Sequence, residues 1–321
     1  MSSALVSIGD RQLSLSNLGK VFYPLTGFTK GQVLDYYARV APYLLPHLSE
    51  RPLTLKRYPE GVEGLTFYEK RSPSHRPKWV QTFRVKKEGE ADIPYTLIND
   101  LPTLIWVANL ASIELHPSLS TAPELQRPTM VVFDLDPGPP AGALECCQVA
   151  LLLRGLFTGL GLESFIKSSG SKGMQVYVPL NTPTTYHHTK GFAHAVAQAL
   201  EARRPEQVVS RMTRALRTGK VLVDWSQNDV SKTTVCVYSL RARERPTVSA
   251  PVEWDEVSRA VKKGDPSPLF PEAGEAVRRA ERGGDLFAPL LTLKQTLPAL
   301  GSTLDSGHGK RRTGSTSRRR A

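Results

Sequence analysis

Cysteine is scarce in this chain of 321 residues: there are three, and two of them, Cys146 and Cys147, are neighbours. Adjacent cysteines seldom pair, and three supply neither a disulfide framework nor a Cys-rich zinc site, so a reducing cytoplasm is the expected compartment. Long apolar runs are missing as well. Nothing approaches the roughly 20 residues a membrane helix needs. The opening MSSALVSIGD has neither a basic flank nor an apolar stretch, which argues against a secretory signal. Acidic residues are in deficit, 30 against 42 Lys and Arg, for a formal charge of +12. With 40% hydrophobic and 22% charged residues, the remainder is an ordinary globular composition, which excludes wholesale disorder.

The positive charge is unevenly spread. Residues 301–321, GSTLDSGHGKRRTGSTSRRRA, hold six basic residues and one Asp and almost nothing apolar. Such a segment cannot bury enough surface to order itself, so a basic disordered tail (301–321) is expected behind a catalytic domain (1–300). The body remains basic, which suits a polyanion, nucleic acid before membrane, or a merely solvated basic surface. Residues 1–290 contain no repeat and no Gly/Ser-rich linker, so they read as one unit.

Thr29-Lys30-Gly31-Gln32 has the spacing of a capping box. Val33, Tyr36, Tyr37 and Val40 then recur at helical spacing, and Pro42 is expected to end the helix. Short strands are expected at 53–57 and 65–69, around the turn PEGVEG. An apolar helix is expected over 101–114 and a β-branched strand in MVVFDLD, stopped by Pro137-Gly138. Helices follow over 143–159, with Gly161 as cap, and over about 188–203. SFIKSS and MQVYVPL read as strands joined by Gly170-Ser171-Lys172-Gly173. VLVDW and TTVCVYSL read as strands, 253–263 and 274–282 as helices. The irregular alternation predicts an α+β fold, a mixed sheet flanked by helices rather than a strictly parallel one.

Asp134 and Asp136 stand two apart on a strand, so both carboxylates leave the same face while Leu135 enters the core. Two close carboxylates repel, and oxygen-only ligands suit Mg²⁺ or Mn²⁺ better than zinc. Asp-Pro-Gly is equally turn chemistry. Asp224 repeats the arrangement at the end of Val221-Leu222-Val223, and a third acid from a second strand would complete a two-metal site. Ser169-Gly170-Ser171-Lys172-Gly173 combines pliant backbone, a hydroxyl and a cation, the ingredients of a phosphate-binding turn. It departs from a Walker A loop at Lys167 and Met174, and taken alone it also reads as a hairpin turn.

FDLDPG (133–138), KSSGSKGMQVYVPL (167–180) and VDWSQN (223–228), followed by KTT and YSLR, together resemble the polymerase domain of bacterial ligase D. That family belongs to the archaeo-eukaryotic primase superfamily of primase-polymerases. NLGKVFYP, FTKGQVLDYY, RPLTLKRYPEG and IELHPS extend the resemblance over roughly residues 10–290. No K-x-D-G adenylation motif is found, so the likeness is to a stand-alone member without ligase or nuclease modules. The resemblance implies mixed β-sheets in two lobes around a central cleft. It implies a DNA-repair nucleotidyltransferase that adds nucleotides, often ribonucleotides, to a 3′-hydroxyl. Two divalent ions, Mn²⁺ or Mg²⁺, and NTP or dNTP would be used in short gaps or at break ends. Asp134, Asp136 and Asp224 would hold the metals. Ser169, Lys172 and Arg241 would bind the triphosphate; Lys56 and His116 match further active-site positions, and Arg217 and Gln227, which flank the third acid, would touch nucleotide or primer. Lys20 and Lys30 match the pair that holds a downstream 5′-phosphate, with Lys30 at a helix start whose free amides favour an anion. Phe67 and Tyr68 match the pair that stacks on template bases, one of them expected in the core and the other free. Gapped or broken DNA, a Ku-like protein and a separate ligase are the implied partners of a monomer near the nucleoid. One departure is Gln175, where the family usually has His; an amide cannot carry charge and would grip phosphate less strongly. A weakened DNA-binding scaffold, a haloacid-dehalogenase-type phosphatase and a D-x-D glycosyltransferase are the competing readings.

Overall fold

The first strands are short and largely polar. β1 (Ser3–Ile8) and β2 (Arg11–Ser16) form an antiparallel hairpin that buries only Leu13 and Leu15. The structure, a computed structural model, describes residues 3–87 and 90–298. The expected tail at 301–321 lies outside the described residues. A small pair, β3 (Val21–Tyr23) and β4 (Phe28–Thr29), delivers the chain to α1 (Lys30–Leu48). The capping box forms as its spacing requires: the Gln32 amide donates to the Thr29 hydroxyl at 3.3 Å, and the Thr29 amide donates to the Gln32 side chain at 2.8 Å. Pro42 does not end the helix, which carries Pro42 and Pro46 inside it. The apolar stripe continues through the fully buried Leu44 and Leu48. Burying each of them contributes about 1.5–3 kcal/mol, which offsets the hydrogen bonds the prolines remove.

The first lobe is a five-stranded antiparallel sheet: β5 (Leu53–Arg57), β6 (Phe67–Glu69), β7 (Thr82–Lys87), β8 (Glu90–Thr96) and β9 (Ser112–Pro117), with β6, β8 and β9 all pairing on β5. Between β8 and β9 lies α2 (Leu101–Asn109), capped by the Asp100 carboxylate on the Thr103 amide at 2.8 Å. The helix expected to reach residue 114 stops earlier, because Ala111 takes a positive φ of 64°. Beyond it the pattern changes to period two, with Ile113 and Leu115 in the core and Glu114 and His116 on the other face.

The second lobe is built on β10 (Met130–Pro137), α3 (Ala143–Gly159), β11 (Phe165–Ser168), β12 (Met174–Pro179), α4 (Tyr186–Arg203), β13 (Val208–Val209), β14 (Val221–Asp224) and β15 (Pro251–Val252). Its six strands lie in the order β13-β14-β10-β12-β11-β15, with only β13–β14 parallel, which is the mixed sheet the sequence suggests. Val131, Phe133 and Leu135 enter a core with Phe157 of α3 and Phe192 of α4. The intervening Asp134 and Asp136 therefore face the cleft. The helices α5 (Trp254–Lys263), α6 (Ala273–Gly283) and α7 (Pro289–Thr292) follow.

Residues 233–240, expected as a strand, form none; Leu240 makes only an isolated bridge with Val248, and Tyr238 has φ 62°. Scattered backbone bonds hold this segment in place of a regular ladder, from the Thr234 amide to the Pro117 carbonyl, Cys236 to Leu115 and Tyr238 to Ser249, and side chains add to them. The Tyr36 hydroxyl donates to the Tyr238 carbonyl at 2.7 Å. The Tyr37 hydroxyl donates to the Ile113 carbonyl at 2.5 Å and accepts from the Leu240 amide at 3.2 Å. Among the described residues, no helix is long and apolar enough to cross a membrane.

Candidate active site

Two rows of cross-strand neighbours face each other across the cleft. In the six-stranded sheet, Asp224 pairs directly with Asp134, Asp134 with Gln175, and Gln175 with Lys167. Directly opposed residues have Cβ atoms about 5 Å apart, so the register alone brings the third acid to the other two. In the five-stranded sheet, Tyr68 pairs with Lys56 and Lys56 with Glu114. Tyr68, His116, Asp134, Asp136, Lys172 and Gln227 are among the residues lining the shared cavity of about 260 Å³.

Burial raises the Asp134 carboxyl to about 6, helped by the charges of Asp136 and Asp224 and opposed by the Gln175 amide and Lys167. The nearest cation to Asp136 in an ion pair is Arg217, at 3.9 Å. An oxygen-only set with unrelieved negative charge fits a hard divalent cation. The fit is incomplete in one respect: among the described residues, no three His, Cys, Asp or Glu side chains converge into a closed metal cage. The reason lies in Asp224, whose carboxylate is turned onto its own loop. It accepts from the Ser226 amide at 2.8 Å, the Ser226 hydroxyl at 2.6 Å and Gln227 Nε2 at 3.0 Å. Lys232 in turn donates to the Ser226 hydroxyl.

The phosphate-type turn joins β11 and β12. The Ser169 oxygen accepts from the amides of Ser171 at 3.2 Å and Gly173 at 3.1 Å, which leaves its O–H free to donate into the cavity, while Lys172 stands exposed at the tip. The glycines are sterically required. A Cβ on Gly173 would lie 2.0 Å from the Leu135 carbonyl, and one on Gly170, at φ +64°, 2.7 Å from Arg241 and Val248. Gly138 is similarly pressed on the Arg217 carbonyl at 2.0 Å. These contacts seat the turn and the Arg217 loop against the end of β10.

Glu114, which the sequence reading left without a role, is the centre of the opposite wall. It is only 2% exposed. Its carboxylate lies 3.0 Å from His116, 3.3 Å from Arg241 Nε and 3.9 Å from Lys56, and accepts from the Ala242 amide at 3.1 Å. Burial alone would raise this carboxyl; His116, Arg241 and Lys56 outweigh it and hold it far below the usual range. His116 is lowered by burial against the pull of Glu114. For Lys56, Tyr58 and Glu114 outweigh burial and raise it. Arg241 also donates to the Ser169 carbonyl, so one guanidinium ties the turn to Glu114.

Other expected residues are placed differently. Phe67 and Tyr68 are both exposed, at 38% and 63%, rather than one of them in the core, because β6 is an edge strand. Arg57 lies over Phe67 at 5.2 Å, and Lys56 over Tyr68 at 5.3 Å. Gln175 is buried, and its amide acts on Asp134 while its oxygen accepts from Tyr177 at 3.1 Å. Lys20 and Lys30 are neighbours, outside the cavity. Lys20 pairs with Glu60 at 2.7 Å, and the Lys30 ammonium is buried on the Ser16 carbonyl at 2.7 Å. The free amides expected at this helix start are taken: Lys30 donates to Lys20, Gly31 to Leu18, and Thr29 and Gln32 to each other's side chains.

Residues 29–287 match the family model of the LigD primase-polymerase domain. The chain is 42% identical over 281 residues to the multifunctional non-homologous end joining protein LigD of Mycolicibacterium smegmatis, covering 87% of this chain and 36% of that protein. It is 33% identical over 251 residues to the bifunctional LigD of Bacillus subtilis, covering 78% and 40%. The chain thus spans well under half the length of these curated relatives. The solved polymerase domain of Mycobacterium tuberculosis ligase D, in complex with DNA, superposes with a TM-score of 0.81 at 38% identity, covering 88% of this chain and 99% of that one. The two sheets, their register and these likenesses make the chain a member of the LigD primase-polymerase domain family, nucleotidyltransferases of the archaeo-eukaryotic primase superfamily.

Proposed function

We propose that this protein is a template-directed DNA-repair polymerase that extends a 3′-hydroxyl into short gaps or at break ends. The supporting observation is the Asp224–Asp134 register, which sets three acids opposite a cationic wall. Asp134, Asp136 and Asp224 would hold Mn²⁺ or Mg²⁺, with Asp224 turned out of its loop. When bound, the ions would activate the attacking hydroxyl and neutralise the phosphates. Ser169, Lys172 and Arg241 would orient an NTP or dNTP, and Lys56 and His116 would border it from the opposite sheet. Positioning and fixed charge would supply most of the rate gain, as in other phosphoryl transfers. Gln227 would steady Asp224, and Arg217 would screen Asp136 at the outer edge. Phe67 and Tyr68, both open, would stack on template bases.

A preference for ribonucleotides, and capture of a downstream 5′-phosphate by Lys20 and Lys30, belong to this reading. Capture requires Lys20 to leave Glu60. A Ku-like protein and a DNA ligase are the proposed partners, with residues 1–300 as the catalytic unit. The test is primer extension across a one-to-three-nucleotide gap with Mn²⁺, comparing NTP with dNTP and a 5′-phosphate with a 5′-hydroxyl. Wild type should extend, and Asp134→Ala/Asp136→Ala should not. Equal extension by both would reject the carboxylate assignment. Extension by neither would favour a DNA-binding scaffold, to which Gln175 is the pointer.

A further inference from the structure

A cavity of about 40 Å³ lies behind the candidate active site, where the two lobes meet. Arg51 and Lys167 both line it, at 5% and 1% exposed. Arg51 donates to the Ser118 carbonyl at 3.3 Å and the Thr129 hydroxyl at 2.8 Å. Lys167 donates to the Ser249 hydroxyl at 2.5 Å and lies over the Tyr177 ring at 5.7 Å. Neither has a carboxylate in any ion pair found among the described residues. Buried cations are ordinarily paired, because an unpaired charge in such a place costs several kcal/mol. A guanidinium cannot escape by losing its proton.

The acids nearby do not serve. Asp285 is already engaged by His47 at 2.7 Å, the Tyr238 hydroxyl at 2.9 Å and the Phe287 amide at 2.9 Å. The Cys236 thiol, which also lines the cavity, is pushed by burial to about 12 and stays neutral. Asp134 is separated from Lys167 by Gln175 in the sheet row. Thr234, also on the cavity wall, has a buried hydroxyl with no partner. Burial, with the charge of Arg241, lowers Lys167 to about 7, and the pull of Asp134 does not make up for it.

The geometry points to an anion site in this cavity, with a monatomic halide held between Arg51 and Lys167. The size fits: a water needs at least about 10–15 Å³ of such volume, so the space takes a halide and a water but no nucleotide. Met130, Tyr177 and Phe287 supply apolar wall, which favours a weakly hydrated ion over water alone. No step of the polymerase reading is needed for this site.

Bromide tests it directly. Wild-type crystals soaked in sodium bromide should show an anomalous peak between Arg51 and Lys167. In solution, the melting temperature at fixed ionic strength should rise saturably when gluconate is replaced by chloride or bromide, by a few degrees. Lys167→Met should remove that dependence. A cavity with water and no anomalous peak would overturn the site, as would a melting temperature indifferent to halide or a halide response undiminished in Lys167→Met. Should Lys167→Met fail to fold, the wild-type anomalous map decides alone.

Discussion

Position 173 tolerates only hydrogen as a side chain. Any Cβ there would meet the Leu135 carbonyl at 2.0 Å, and that carbonyl belongs to the central strand of its sheet, so it cannot yield cheaply. Gly173→Ala should therefore push β12 off β10 beside Asp134 and cost about 1–3 kcal/mol. Thermal unfolding would read the loss, and a wild-type melting temperature would show that the contact relaxes freely. Glu114 makes the opposite point, a side chain whose charge matters more than its shape. Glu114→Gln keeps the volume but leaves Arg241, His116 and Lys56 without their shared anion. Breaking a buried pair of this kind costs about 3–5 kcal/mol when one partner is lost. We expect at least a tenfold rise in nucleotide KM with a smaller change in kcat, and recovery in Glu114→Asp below wild type. An unchanged KM would show that the three cations need no such hub. Asp134 and Asp136 could be read from sequence because an i, i+2 pair on a strand declares its face, and Asp224 because it ends a second apolar run. Glu114 could not, since a single Glu in an apolar strand carries no sign of how many cations will gather on it.

The helix α1 joins two features of different kinds. Its cap is local: Thr29→Ala should cost about 1 kcal/mol, read in denaturant midpoint. Its lysine is tertiary. Burial, with a smaller push from Lys20, brings Lys30 from the usual 10.5 to about 8. Between those values the unfolded chain holds more protons than the folded one, so this residue makes stability rise with pH over that window. The gap in melting temperature between wild type and Lys30→Met should change in wild type's favour from pH 8 to 10.5; a constant gap would rule out the shift. Capping and strand periodicity were legible at this scale because they depend on neighbours in sequence. The end of α1 and the break at Ala111 were not, because burial of Leu44 and Leu48 and a switch to period two decide them. Free amides were expected at the helix start, and only the fold reveals that Leu18 and Lys20 already occupy them.

At the scale of the molecule, a mixed sheet flanked by helices followed from the irregular alternation of strands and helices, whereas two lobes around a cleft came only with the resemblance that the motifs carry. What the linear order concealed is how residues 233–240 are held. Their β-branched run suggests a ladder, yet no strand forms, and scattered backbone bonds to Leu115, Pro117 and Ser249, joined by the phenols of Tyr36 and Tyr37, take the place of one. Tyr37→Phe deletes only an oxygen and opens no void. It should lower the unfolding free energy by about 1–3 kcal/mol, since the Ile113 carbonyl and the Leu240 amide lose a partner, while lowering activity, because Arg241 follows Leu240 in the chain. Activity equal to wild type would show that Arg241 is fixed from elsewhere. The wider consequence is mechanical. The stretch that carries Arg241 to the cavity wall is braced in part by hydroxyl tethers from a distant helix, so its aim can be retuned by single-atom edits that no packing criterion would flag.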